Sequence, residues 1–396
     1  MSPTRRRGDK EAHDAARRPS PNGALAGRES SGEAVTAIHQ LLPVLSPGDA
    51  IGQAVRRMRA SFLEAGFTSE IFAEEIHQSL LGEAGPATAL EASVGAGDVV
   101  LYHLSIGAPS ARLFAGLGCR RAIVYHNITP AAFYRTTSPR VAYWLDRGRR
   151  DLARLAPSVE LGIGDSAYNA AELQAAGCPA TMVIPPPVDL ARLSPRPAHP
   201  TGAPRLIFVS RLAPNKRQEE LIRVLAALRA CWQPEATLVL PGGWDDTETY
   251  VAGLRRLATD LGVASAVELP GRRSDRELGD LYAGATAAVC ASEHEGFGMH
   301  LLEAWAFDLP LVARAAAAVP ETVGDAGILL DSADPLVWGA VVDRVIRDMQ
   351  LRRLLIERGR RRLGDFSEAA LRDRMSELLD RLDLSGQGNP RAAPGG

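Results

Sequence analysis

A chain of 396 residues is too long for one hydrophobic core and comfortable for two domains of ordinary size. With 46% hydrophobic and 23% charged residues it reads as globular rather than disordered. Its 45 Lys and Arg against 47 Asp and Glu give a formal net charge of -2, which argues against a nucleic-acid binder and leaves room for a local basic patch.

The Met1 end is polar, without the apolar core of a secretory signal, and no apolar run is long enough to span a bilayer. Cys119, Cys178, Cys231 and Cys290 lie far apart with no metal-type spacing, so they read as small apolar fillers in a reducing compartment. A cytoplasmic protein with no metal ligand set is expected. Residues 1–34 and 385–396 are rich in Arg, Ala, Pro, Ser and Gly without periodicity and are expected to be disordered tails.

Order is expected from Val35–Leu42, a short apolar run that Pro43 should end. After a loop containing Gly48 and Asp49, the apolar positions Ile51, Ala54, Val55, Met58 and Phe62 recur at helical spacing, and Gly66 stops the helix. Strand-like runs follow at SEIFAE, DVVLYHL (98–104), RAIVYHN (121–127), LGIGDS (161–166) and TMVIPP (181–186). Helical stretches are expected over 141–155 and 167–176, the second with Ser166 as its N-cap. Strands alternating with helices, with continuous apolar strands, predict a doubly wound parallel sheet.

The proline-crowded segment 184–205 cannot hold regular structure for long and reads as a linker, taken as 188–204 between a first domain over 35–187 and a second over 205–364. A second alternation follows: RLIFVS, ATLVLPG, AVELPG, ATAAVCAS, LPLVAR and GILL. Ser274 and Glu277 form the S-x-x-E pattern of a capping box. Arg-rich amphipathic helices are expected over 335–363 and 367–384. Two such α/β units make a cleft between their strand C-terminal ends, where these sheets bind ligands.

Four segments carry chemistry. In VSRLAPNKRQEEL, Arg211 and Lys216 follow a strand and precede a helix, where two cations and helix N–H groups can hold a diphosphate; a solvated basic loop is the plain alternative. In ASEHEGFGMHLLEAWAFDLPLV, a buried strand runs through Glu295, Gly296, Phe297 and Gly298 into a helix from Met299, with Glu303 about one turn in. Glu303 can accept hydrogen bonds from ribose hydroxyls and Glu295 from sugar hydroxyls; both could equally be ordinary helix carboxylates. VPETVGDAGILL reads as structural. In the first half, Gly48, Asp49 and Gly52 form a loop-to-helix junction suited to phosphate or acceptor, and His126 and Asn127 end a strand facing the cleft, with His103 and Asp165 at neighbouring strand ends.

Together these residues resemble the retaining family 4 glycosyltransferases of the GT-B fold, over about 35–384 and most closely over 205–330. The carriers are SRLAPNK, LPGRRSDRELGDLYAGATAAVCAS, EHEGFGMHLLEAWAFDLPLV and VPETVGDAGILL, in the family's order and approximate spacing. The first half is similar to a bacterial subgroup that builds surface polysaccharide or lipopolysaccharide. The resemblance implies two Rossmann-like domains facing a cleft, with a crossing helix over 365–384 returning to the first. It implies transfer of a hexose-type sugar from a nucleotide diphosphate carrier to an acceptor hydroxyl with retention and without a metal. Arg211 and Lys216 would bind the diphosphate, Glu303 the ribose and Glu295 the transferred sugar. Backbone amides of Phe297, Gly298 and Met299, beside Gly296, would lie near sugar and phosphate. His126 would contact the sugar, and the Gly48 to Gly52 loop would close over phosphate and acceptor.

The sequence departs from the family at Asp308, where glycine is common, and at His300, where proline is frequent. The partners implied are a nucleotide-sugar donor and a glycan or lipid-linked acceptor, with no nucleic acid. The Arg344–Arg362 region and the Arg5–Arg7 cluster are compatible with solvated faces or with a peripheral seat on the inner face of a membrane. Three other functions fit the fold: a nucleotide-sugar epimerase, a non-catalytic partner subunit, and a nucleotide-binding regulator.

Overall fold

Seven strands, all parallel, build the first sheet of the computed structural model, which describes residues 37–47, 50–198 and 202–387. They are β1 (Ile38–Leu45), β2 (Ile71–Ile76), β3 (Gly85–Pro86), β4 (Val99–Leu104), β5 (Arg120–Tyr125), β6 (Leu161–Gly164) and β7 (Thr181–Val183), in the order β3-β2-β1-β4-β5-β6-β7. The second sheet holds β8 (Arg205–Ile207), β9 (Thr237–Pro241), β10 (Val267–Gly271), β11 (Ala287–Cys290), β12 (Leu311–Arg314) and β13 (Ile328–Leu330), in the order β10-β9-β8-β11-β12-β13. Each order reverses direction once, between β1 and β4 and between β8 and β11. The crevice outside such a reversal is where open α/β sheets take their ligands. Both sheets belong to one compact unit.

The central strands of each sheet are buried on both faces, which is why they read as continuous apolar runs. Helices Ala50–Glu64, Pro139–Leu155 and Ala167–Ala175 flank the first sheet, and Ser166 accepts from Asn169 N at 3.2 Å as the expected N-cap. In the second domain the capping box is complete: Ser274 N donates to Glu277 Oε2 at 2.9 Å, and the Ser274 side chain accepts from Glu277 N.

Two expectations are corrected. Pro43 does not end β1, which continues to Leu45. Pairing with β4 stops at Leu41, and beyond it only β2 flanks the strand, so the missing N–H falls where one neighbour has been lost. The single helix expected over 335–363 is two, Pro335–Arg347 and Met349–Gly364, because Asp348 leaves helical geometry and its carboxylate caps Gln350 N and Leu351 N at 3.0 Å each. The linker holds only one turn of 3-10 helix, Ala191–Leu193, in keeping with a segment that cannot keep regular structure for long.

The last helix, Glu368–Arg381, returns to the first domain. Leu371, Met375, Leu378 and Leu382 pack with Ile38, Met58 and Phe62, and Arg374 Nη1 donates to Val183 O at 3.0 Å. Asp308 sits at φ +57, the left-handed region where glycine is usual, and Arg360 grips both its oxygens at 2.6 and 2.7 Å. Arg352 and Arg362 on the same helix donate to backbone carbonyls of the second domain, so pairing within the protein accounts for part of that arginine-rich face. Among the described residues no helix is long and apolar enough to cross a membrane.

Candidate active site

The loop after β8 carries Arg211 and Lys216, and the loop after β11 carries Glu295; these strands flank the reversal of the second sheet. Opposite them, the first sheet presents the start of helix Ala50–Glu64 and the ends of β5 and β6. Between the two lies a cavity of about 410 Å³ whose wall includes His126, Arg211, Lys216, Glu295 and Glu303. Gly296, Phe297, Gly298 and Met299 line it as well. Gly298 adopts φ +94, which turns the chain into helix Met299–Ala306 and leaves that helix's first-turn N–H groups at the cavity. Ala50, Ile51 and Gln53 complete the wall from the first domain. Gly48 and Asp49 lie outside the described residues. Gly52 is buried, and a Cβ there would meet Leu45 Cδ1 and Ser46 O at 3.3 Å.

Glu295 is buried, with both oxygens engaged: Ser292 Oγ donates to Oε1 at 2.7 Å and Lys216 Nζ to Oε2 at 2.7 Å. Burial alone would raise its carboxyl, but the Lys216 ammonium and His300 outweigh it and hold the group below its ordinary range. Glu303 shows the opposite balance. Burial pushes its carboxyl up, although Tyr282 OH donates to it at 2.8 Å and Arg192 ion-pairs with it. Arg192 comes from the linker and also pairs with Asp275, so the linker reaches this buried carboxylate. Sequence reasoning missed Arg192, Tyr282 and Ser292; nothing in their spacing marks them.

His126 lines the cavity but has no unengaged ring nitrogen. Its Nδ1 faces Asp165 at 3.0 Å and its Nε2 faces His103 Nδ1 at 2.8 Å. His103 Nε2 in turn faces Gln40 Oε1 at 3.0 Å, and Gln40 Nε2 donates to Val55 O at 3.0 Å. Burial holds His103 well below the usual histidine range. The sequence placed these residues separately at strand ends; the structure joins them into one chain from the cavity to helix Ala50–Glu64. A sugar hydroxyl can bond a ring nitrogen of His126 only by displacing a protein partner, which makes the ring better suited to shaping the wall than to direct contact.

The two domains touch beside the cavity. Ser166 Oγ donates to Gly296 O at 2.7 Å, and Tyr134 OH donates to Asn215 Oδ1 at 3.1 Å. Ala213, from the loop that carries Lys216, packs into the core of the first domain. Glu321, read from sequence as structural, accepts from Ala167 N at 2.8 Å and Tyr168 N at 3.2 Å, so its charge sits at the positive end of a helix in the other domain. Gly296 is the tightest point, since a Cβ there would lie 2.7 Å from Asn127 Cβ.

Two Rossmann-like parallel-sheet domains facing a crevice define the GT-B fold. Residues 191–362 match the family described as glycosyl transferases group 1. The D-inositol 3-phosphate glycosyltransferase of Salinispora arenicola is 34% identical over 208 residues, covering 47% of this chain and 46% of the relative. The lipopolysaccharide core biosynthesis glycosyltransferase LpsE of Rhizobium meliloti is 30% identical over 195 residues, 48% of this chain and 53% of LpsE. The chain thus spans about half the length of the curated relatives it matches. Among solved structures, Anabaena HepE in complex with UDP and glucose superposes with a TM-score of 0.66 at 19% identity, covering 87% of this chain and 99% of HepE. Sucrose-phosphate synthase of Thermosynechococcus elongatus gives 0.69 at 19% identity, covering 88% and 100%. At these identities the structural likeness carries the fold alone.

Proposed function

We propose that the protein is a retaining, metal-independent glycosyltransferase that moves a hexose-type sugar from a nucleoside diphosphate to an acceptor hydroxyl in bacterial glycan synthesis. The observation that carries this reading is the placement of Lys216, Arg211, Glu295 and Glu303 around one cavity at the reversal of the second sheet. Arg211 and Lys216 hold the diphosphate and neutralise the charge that grows on it as the bond from the sugar's anomeric carbon to phosphate oxygen breaks. The acceptor oxygen bonds to that carbon on the face being vacated, and its proton passes to the departing phosphate. Glu295 binds and orients the sugar. Both its oxygens are already held, which disfavours the alternative of a covalent sugar–carboxylate intermediate. HepE, whose solved complexes contain UDP and glucose, supports a nucleotide-sugar donor, and LpsE supports a place in surface-glycan assembly. A glycan or lipid-linked acceptor approaches past helix Ala50–Glu64.

The test is a thermal-shift screen against UDP, GDP, ADP, dTDP and their sugars, with Arg211→Ala/Lys216→Ala in parallel. A ligand at about 100 times its Kd adds about 2.7 kcal/mol to folded-state stability. Stabilisation by one nucleotide family, lost in the double variant, is the expected result; no stabilisation by any of them overturns the donor assignment. Transfer should persist in EDTA, and a strict Mg²⁺ requirement would contradict a diphosphate held by protein cations.

Glu303→Gln should weaken nucleotide binding about tenfold or more, because hydrogen bonds to a charged acceptor are worth roughly 1.5–3 kcal/mol and part of that is offset by releasing Arg192. Titration calorimetry with the nucleotide identified by the screen checks this. Unchanged affinity removes Glu303 from the ribose site.

A further inference from the structure

Cys290, Glu295 and His300 meet behind the donor loop. One ligand atom from each lies within 4.8 Å of the other two, and His300 Nε2 is 3.3 Å from Cys290 Sγ. A tetrahedral zinc with bonds of about 2.3 Å to sulfur and about 2.0 Å to nitrogen or oxygen separates its ligands by about 3.3–3.7 Å. The thiol and imidazole already stand at that spacing, and the carboxylate needs a small approach. The supports are fixed: Cys290 is the last residue of β11, His300 lies in the first turn of helix Met299–Ala306, and Glu295 is on the short loop between them.

We propose that these three side chains form a binding site for a thiophilic divalent cation of the Zn²⁺ class, and that its occupation closes the donor site. A thiolate, a carboxylate and an imidazole select zinc over Mg²⁺, whose preference is for oxygen ligands. The thiol proton passes to solvent on coordination, leaving two anionic ligands against the two charges of the ion. Glu295 and His300 both line the cavity, so the fourth coordination position faces it. Lys216 now supplies the counter-charge to Glu295 at 2.7 Å. A cation bonded to that carboxylate takes over this role and repels the ammonium, removing Lys216 and Glu295 together from sugar and diphosphate. Binding of the ion rests on these side chains alone; the inhibition rests on the function proposed above.

The experiment uses the full chain stripped with EDTA and titrated with Co²⁺ as a coloured surrogate. A thiolate-to-cobalt charge-transfer band should grow to saturation at about one equivalent, be lost in Cys290→Ala and His300→Gln, and be kept in Cys231→Ser, which removes the exposed cysteine. Zn²⁺ should abolish sugar transfer by the unsubstituted chain, EDTA should restore it, and Cys290→Ala should keep its basal rate and lose the inhibition. Absence of the band, or an equal band in Cys290→Ala, overturns the site. A band with undiminished transfer overturns the coupling to the donor site. The spectrum does not depend on turnover, so a protein inactive without metal but carrying the band refutes the transferase reading and leaves the cation site standing.

Discussion

Lys216→Ala is expected to lower transfer by about 10²–10³-fold with the fold intact, the loss measured when one preorganised donor to a developing oxyanion is removed. Lys216 has two tasks. In the proposed reaction its ammonium neutralises the departing diphosphate, and in the structure it fixes Glu295, which is 7% exposed and depends on it for a carboxyl below the ordinary range. Removing one partner of a buried pair costs about 3–5 kcal/mol where water cannot enter. Here the pair lines a cavity of about 410 Å³ open to solvent, and Ser292 still donates to Glu295, so the cost in stability falls below that range. Lys216→Ala/Glu295→Gln separates the tasks. It removes the unpaired charge and should recover melting temperature without recovering turnover. Single-turnover rates with saturating donor make the measurement, and a rate within a few-fold of the unsubstituted chain refutes the diphosphate role.

Gly296→Val tests whether domain contact is needed for transfer. The first side-chain carbon would lie 2.7 Å from Asn127 Cβ and 3.3 Å from both Asn169 Nδ2 and His126 O, all in the other domain. Overpacking at a tight contact costs typically about 1–3 kcal/mol. Charged against the contact state, this lowers transfer by about 5–150-fold, tenfold for each 1.4 kcal/mol. The side chains proposed to bind diphosphate and ribose, Arg211, Lys216 and Glu303, all come from the second domain, so nucleotide affinity should change far less than the rate. A parallel collapse of nucleotide binding would show instead that the donor loop itself had been distorted.

Much of this arrangement is legible in the chain. Strands buried on both faces announce themselves as apolar runs, and the S-x-x-E at Ser274 marks its helix start because both halves of a capping box are local in sequence. The residues proposed for the donor site are legible for a similar reason: Arg211 and Lys216 lie in one strand-to-helix connection, Glu295 and Glu303 run from the next strand end into its helix, and the cavity collects them all. Pro43 and Asp348 mislead because their effects depend on neighbours that the sequence does not show. Pro43 is tolerated once β4 has left the side of β1, and Asp348 breaks a helical pattern by capping the next helix. The Gln40–His103–His126–Asp165 chain is drawn from β1, β4, β5 and the end of β6, and only strand order brings those positions side by side. Arg192 hides in a linker whose composition speaks only of irregularity, and its long side chain reaches Glu303 through space.

The polypeptide passes between the domains twice, outward after β7 and back between the helices Met349–Gly364 and Glu368–Arg381. The two passes run beside each other: Pro185–Val188 from one and Asp365–Ser367 from the other wall the same small cavity of about 40 Å³. Two pins set side by side fix an axle. A swing about the line through both passes is the relative movement of the lobes that such an arrangement would resist least. A swing has a lever arm. Arg192 and Glu303, which share a cavity wall with Pro186 of the outward pass, travel little in such a swing. Cutting the chain at the outward pass therefore does not yield two lobes, because the first keeps its final helix only through the second.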